Sequence, residues 1–150
     1  MNNKKHIQVL ALMGAILSLP LNKSDLTGDV NTDAQNANLI ALKAGRAVKM
    51  TADGIALADA DDANAIGVIN SNAIQNMGGI QYNIASQAID VISGGSLVRM
   101  YLEGSDDAKV GDAINIGANG VLATGGDATK SIGQVINVHN DGTVDILIKL

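Results

Sequence analysis

Hydrophobic and polar residues alternate along most of this chain, and a period of two predicts short β-strands. Val48 and Met50 precede an Asp53-Gly54 turn and Ile55 follows it, so residues 45–58 form a predicted hairpin. The same alternation predicts further strands within residues 66–69, 80–84, 88–92, 97–102, 113–116, 132–138 and 143–150. Only residues 8–17 are compatible with a helix.

The segment that contains this hairpin recurs 66 residues later without a gap. Residues 43–69 align with residues 109–135, so that Gly45 corresponds to Gly111 and the Ile66-Gly67 pair to Ile132-Gly133. We call these segments the first and second repeats. Two copies are too few for a solenoid, so the repeat predicts two related halves of one body.

The composition supports a β-rich fold with many turns. Glu103 is the only glutamate among 15 acidic residues, and the others are Asp, which favours turns over helices. We therefore predict an all-β fold, a small barrel or sandwich of short antiparallel strands built from two related halves, with an extended N-terminal arm. Residues 1–38 form the predicted arm and linker, and residues 39–150 form the β-domain.

The N-terminal arm contains an apolar run from Val9 to Leu21, preceded by Lys4 and Lys5. The run resembles a secretory signal, but small residues suitable for cleavage are missing around Leu19. It is shorter than the about 20 residues that cross a bilayer. A retained arm is therefore favoured, anchored to a partner or packed on its own body. Its candidate partner-contact residues are Val9, Leu10, Leu12, Met13, Ile16, Leu17, Leu19 and Leu21.

Charge and aromatic content argue against nucleic acid as a partner. The net charge is −5, and the chain has two Tyr, no Phe and no Trp, so basic patches and stacking platforms are scarce. It also has no Cys, which removes thiol nucleophiles and thiolate metal sites.

Two groups of residues could carry chemistry, and neither has the required spacing. Asp59, Asp61, Asp62 and Asn64 offer oxygen ligands, but Asn70 stands where a calcium-binding loop of the EF-hand type needs Glu. His6 and His139 are the only imidazoles, and the chain lacks a Gly-x-Ser-x-Gly elbow. We predict a solvated acidic loop, isolated surface histidines, no metal or cofactor, and no enzymatic activity.

The order of the repeated motifs resembles the small capsid cement, or head decoration, proteins of tailed bacteriophages. The resemblance rests on the phrases Ala44-Gly45-Arg46-Ala47-Val48, Thr51-Ala52-Asp53-Gly54, Ala65-Ile66-Gly67-Val68-Ile69, Lys109-Val110-Gly111-Asp112-Ala113-Ile114, Ser131-Ile132-Gly133-Gln134-Val135 and Val144-Asp145-Ile146-Leu147-Ile148. It covers residues 39–150 and implies a compact β-domain that binds the outside of a capsid, often as a trimer.

The resulting prediction is a virion structural protein on the capsid exterior. Its expected partners are the major capsid protein and two further copies of itself as a homotrimer, without nucleic acid or membrane. The alternative is a secreted or surface-anchored β-domain of adhesin or surface-layer type, for which the N-terminal run would be a signal peptide.

Overall fold

The computed structural model describes residues 7–11, 16–20, 42–70, 74–77, 80–83 and 88–150. These residues contain thirteen strands and two short 3-10 helices, at Ala118–Gly120 and Ala128–Lys130. The strands are β1 Gln8–Ala11, β2 Ile16–Pro20, β3 Ala47–Thr51, β4 Gly54–Leu57, β5 Ala65–Ile69, β6 Ile74–Met77, β7 Ile80–Asn83, β8 Ala88–Ile92, β9 Leu97–Met100, β10 Ala113–Ile116, β11 Leu122–Thr124, β12 Gly133–Val138 and β13 Val144–Ile148. The predicted all-β class is confirmed. Residues 8–17, the one stretch compatible with a helix, contain β1 and the start of β2.

Two antiparallel sheets carry most of the strands. The N sheet has the order β2-β8-β5-β3-β4, and the C sheet has the order β1-β9-β13-β12-β10-β11. Strands β6 and β7 pair with each other as a separate hairpin. Neither main sheet closes into a barrel. They share one hydrophobic core.

The sequence repeat is also a repeat of backbone hydrogen bonds. In the first repeat, the Gly45 amide donates to the Ile69 carbonyl at 2.9 Å and the Ile69 amide donates to Arg46 at 2.9 Å. In the second repeat, the Gly111 amide donates to the Val135 carbonyl at 2.8 Å, and the Val135 amide donates to the Asp112 carbonyl at 2.9 Å. Aligned residues thus make the same ladder, and the strands around them follow the same order.

Strand β2 completes the N sheet in the place that β9 fills in the C sheet. Ignoring β1, the order β4-β3-β5-β8-β2 matches β11-β10-β12-β13-β9 strand for strand. The N-terminal run therefore supplies one strand to each sheet, because β2 pairs with β8 and β1 pairs with β9. We call β2 to β8 the N half and β9 to β13 the C half.

The two repeat hairpins differ in their turns. Thr51 pairs with Gly54, so the first turn is Ala52-Asp53 and lies one residue before the predicted Asp53-Gly54 pair. In the second hairpin Ile116 pairs with Leu122, which leaves a five-residue connection. There Asn119 and Gly120 have φ of 57° and 71°, as the sequence predicts for positive-φ turn residues.

Burial distinguishes the two sheets. Both faces of the N sheet are buried. Consecutive strand residues point to opposite faces, and none of the four residues in two such pairs is exposed: Ala47 and Val48 on β3, and Val91 and Ile92 on β8. The C sheet buries one face, represented by Ile114, Val135 and Ile146. Two clusters result, one shared by both sheets and one on the opposite face of the N sheet.

Candidate interaction surfaces

The predicted contact residues of the N-terminal run lie in different environments. Val9 on β1 packs against the core shared by both sheets, and Leu19 on β2 packs against the N-sheet core. Ile16 and Leu17 are 42% and 38% exposed. Leu10 is half-buried. Leu12, Met13 and Leu21 lie outside the described residues. Because a β-strand alternates its side chains between faces, Ile16 and Leu19 lie on opposite faces of β2, so the strand both packs on a core and presents an apolar group outward.

The outward face of the C sheet carries an ion-paired cluster. Arg99 on β9 lies opposite Asp145 on β13, and its Nε donates to Asp145 Oδ1 at 2.7 Å. Nε2 of His139 lies 2.9 Å from Asp145 Oδ2. The hydrogen bond from Arg99 is the main cause that lowers the pKa of Asp145. Asp145 is only 7% exposed, so Arg99 and His139 satisfy a carboxylate that the surrounding side chains largely cover.

Strand register extends this cluster into a polar row. Gln8 on β1 pairs with Arg99, and Asn137 on β12 pairs with Asp145, so four neighbouring strands contribute. The half-buried Leu97 and Leu147 pair with each other in the next outward-facing row. The outward face of the C sheet therefore has the mixed polar and apolar character of non-obligate interfaces.

Sequence reasoning missed this cluster. It predicted an isolated surface histidine at His139, whereas the structure gives that side chain a carboxylate partner. His6 lies outside the described residues. One signal in the sequence could have indicated the cluster. Two apolar strands each contain a single charged residue at an outward position, Arg99 in one and Asp145 in the other. Their pairing depends on strand register, which the sequence does not state.

The acidic loop after β4 is held by internal bonds. The Asp62 carboxylate accepts the Asp59 amide at 3.0 Å and the Asn64 amide at 2.9 Å, and these bonds lower its pKa. Lys49 forms ion pairs with Asp59 and with Asp62. The Asp61 carboxylate lies 3.6 Å from the Lys130 ammonium. Within the described ranges, no three His, Cys, Asp or Glu residues converge on a possible metal position.

An ion pair links the two halves. Arg46, at the start of the first repeat, donates to both carboxylate oxygens of Glu103, at 2.9 Å and 2.6 Å. Lys43 adds a second positive charge, 3.7 Å from Glu103. The hydrogen bond from Arg46 is the main cause of the lowered pKa of Glu103. The fork geometry of the guanidinium fixes the first repeat against the loop that follows β9.

In the part of the chain that the structure describes, no helix is both long and apolar enough to cross a membrane.

The comparisons with known proteins identify one family. A sequence profile described as XM1 gp53 minor capsid protein matches residues 1–148. The searches of curated proteins and of solved structures give no match. The matched range includes the N-terminal run together with both sheets, so the family relation extends over nearly the whole chain.

Proposed function

This chain belongs to the XM1 gp53 minor capsid protein family, and we propose that it is a cement protein that stabilises a bacteriophage capsid from its outer surface. The family gives the chain a structural role in the virion and an association with the capsid. Attachment to the outside of the major capsid protein lattice, as a homotrimer, is the finer part of the proposal.

The exposed apolar residues of β2 carry the proposal for capsid attachment. Ile16 and Leu17 are large side chains with more than a third of their surface in water, on a strand at the edge of the N sheet. Consecutive strand residues point to opposite faces, so Ile16 and Leu17 expose one apolar side chain on each side of this edge strand, an arrangement suited to a partner that lies along the edge. Many lattice positions would make weak individual contacts add up, particularly when copies act together.

The position of β2 also favours a retained N-terminal run over a cleaved signal peptide. Removal of residues 1–35 would take β1 and β2 away, and the N sheet would lose the strand that corresponds to β9. Ile89 and Val91 on β8 are both buried, and they pair with Leu19 and Leu17 of β2. Loss of β2 would expose them to water, so the secreted alternative is disfavoured.

Electron microscopy of particles with and without the protein tests where it binds. We expect added density on the outer surface at local three-fold axes when purified protein is mixed with bare capsids. Density on the inner surface, or only at a portal or tail, would contradict the proposal of exterior cement.

Substitution of Ile16 and Leu17 by Ser tests the contact residues while the backbone of β2 is kept. The double variant should lose at least tenfold in affinity for bare capsids, measured by co-sedimentation. Val138→Ser is the matched control, because Val138 is 40% exposed and lies on β12 of the other sheet. Equal binding by both variants would show that β2 does not hold the lattice.

A further inference from the structure

Equivalent outward positions in the two sheets differ in burial. In the N sheet, Ala47, Val68 and Ile92 have relative exposures of 0%. In the C sheet the same positions are Ala113, Gln134 and Leu147, since Ala47 pairs with Val68 as Ala113 pairs with Gln134. Gln134 is exposed, and Ala113 and Leu147 are half-buried. We call these three residues the outer face of the C sheet.

One end of the C half covers the outward face of the N sheet. Gly120 lies against the backbone of Ala47, close enough that a side chain there would collide with the Ala47 carbonyl. The Asp61 amide donates to the Ile116 carbonyl at 2.8 Å. The Met100 side chain lies over Gly45. These contacts bury the end of the C half that contains Ile116, which is 2% exposed.

Among the residues that the structure describes, the reverse contacts are missing. Met50 occupies the repeat position of Ile116, yet it is 44% exposed. Within the described part of the chain, no atom other than those of its chain neighbours lies within 4 Å of the side-chain position of Gly111, which corresponds to Gly45. The contact between the halves is therefore directional. Among the described residues, the outer face of the C sheet and the end of the N half around Met50 lack the equivalent contact.

We propose that these two remaining surfaces bind each other in different molecules of this protein. The outer face of the C sheet of one molecule packs against the Met50 end of the N half of the next, reproducing between molecules the contact that joins the halves within one. The partner is a second copy of this chain, because the chain itself shows which kind of end fits such a face.

A directional contact between unlike surfaces generates a closed ring or an open filament. Three molecules in a ring place six related halves around one axis. The inference rests on the homotrimer part of the proposed function and is independent of capsid binding. Since Gln134 replaces the buried Val68, the contact between molecules is more polar than the contact within one, as expected of an interface that forms after folding.

Three charged variants test the proposal in free protein. Leu147→Glu and Gln134→Arg alter the outer face of the C sheet, and Met50→Glu alters the opposite end. Each variant should reduce the oligomer to a monomer in sedimentation velocity, whereas Val138→Glu, the control, should keep the wild-type mass. Thermal unfolding checks that each variant folds, and Gln134→Arg is the safest because Gln134 is exposed.

Mixing the variants gives the sharpest result. Leu147→Glu keeps an intact end and Met50→Glu keeps an intact face, so a 1:1 mixture should form heterodimers and nothing larger. Three results would overturn the proposal. The 1:1 mixture could stay monomeric, the wild-type protein could be monomeric by itself, or the three variants could have the same mass as Val138→Glu. Ile16→Ser with Leu17→Ser should oligomerise normally, which separates this contact from capsid attachment.

Discussion

Gly67 and Gly133 occupy the same position in the two repeats, and each lies directly against the backbone of the adjacent strand. A side chain at Gly67 would collide with the Ile92 carbonyl on β8, and one at Gly133 with the Leu147 carbonyl on β13. The backbone of a central strand cannot move aside without breaking its ladder. We therefore expect Gly67→Ala and Gly133→Ala each to lower the free energy of unfolding by about 2 to 3 kcal/mol, measured by urea denaturation.

Gly117→Ala is the matched control for these two variants. A side chain at Gly117 would lie 3.2 Å from the Val121 carbonyl, at a loop position that can adjust. Its φ of −89° is accessible to any residue. The control should cost about 1 kcal/mol or less. An equal loss in all three variants would mean that close strand packing does not explain the Ile-Gly motif.

Removal of Arg99 should be more harmful than its exposed position suggests. Arg99→Ala leaves the buried Asp145 carboxylate with His139 as its remaining side-chain partner. Because the Arg99 side chain is 36% exposed, water screens the pair, and we expect a small but measurable loss in the free energy of unfolding. In a double-mutant cycle, Arg99→Ala should cost less when Asp145 is already Asn. Additive losses would show that the two side chains do not interact.

Acid should destabilise the protein through Asp145 and Glu103. Both pKa values are lowered in the folded state, by Arg99 and Arg46, so the unfolded chain binds more protons near pH 4. Their stabilisation is present above the unfolded pKa of about 4 and is lost as pH falls through the folded values. Asp145→Asn should therefore lose less stability than wild type between pH 5 and about pH 2.5. Val138→Ser, which changes no titratable group, should follow the wild type.

Substitutions of Leu19 and Ile16, both on β2, should distinguish a residue that stabilises the fold from one that is available for capsid binding. Leu19 packs against the N-sheet core, so Leu19→Ala should lower the free energy of unfolding by about 2 kcal/mol. Ile16 is 42% exposed, and Ile16→Ala should change it by about 0.5 kcal/mol or less. Comparable losses in thermal unfolding would place Ile16 in the core and remove it from the proposed capsid contact.

Local patterns predicted most strands from β3 onward, because a period-two alternation and a turn residue are enough to specify a hairpin. Strand β6, Ile74–Met77, lies outside every predicted strand. The first turn was misplaced by one residue, since Gly54 is the first residue of β4 and pairs with Thr51. The secondary structure of the N-terminal run was harder to predict. Its apolar composition fits a helix, a signal or a strand equally, and only pairing of β2 with β8 selects the strand.

The sequence by itself determined the all-β class, the two related halves and the relation to phage capsid proteins, because each depends on residue order within short segments. Tertiary structure decided which residues meet across the chain. Arg99 with Asp145, and Arg46 with Glu103, are joined by strand register and by the packing of one half on the other. The same packing leaves Met50 exposed while burying Ile116, its counterpart in the repeat. Two similar segments acquire different roles because the halves meet in one direction only.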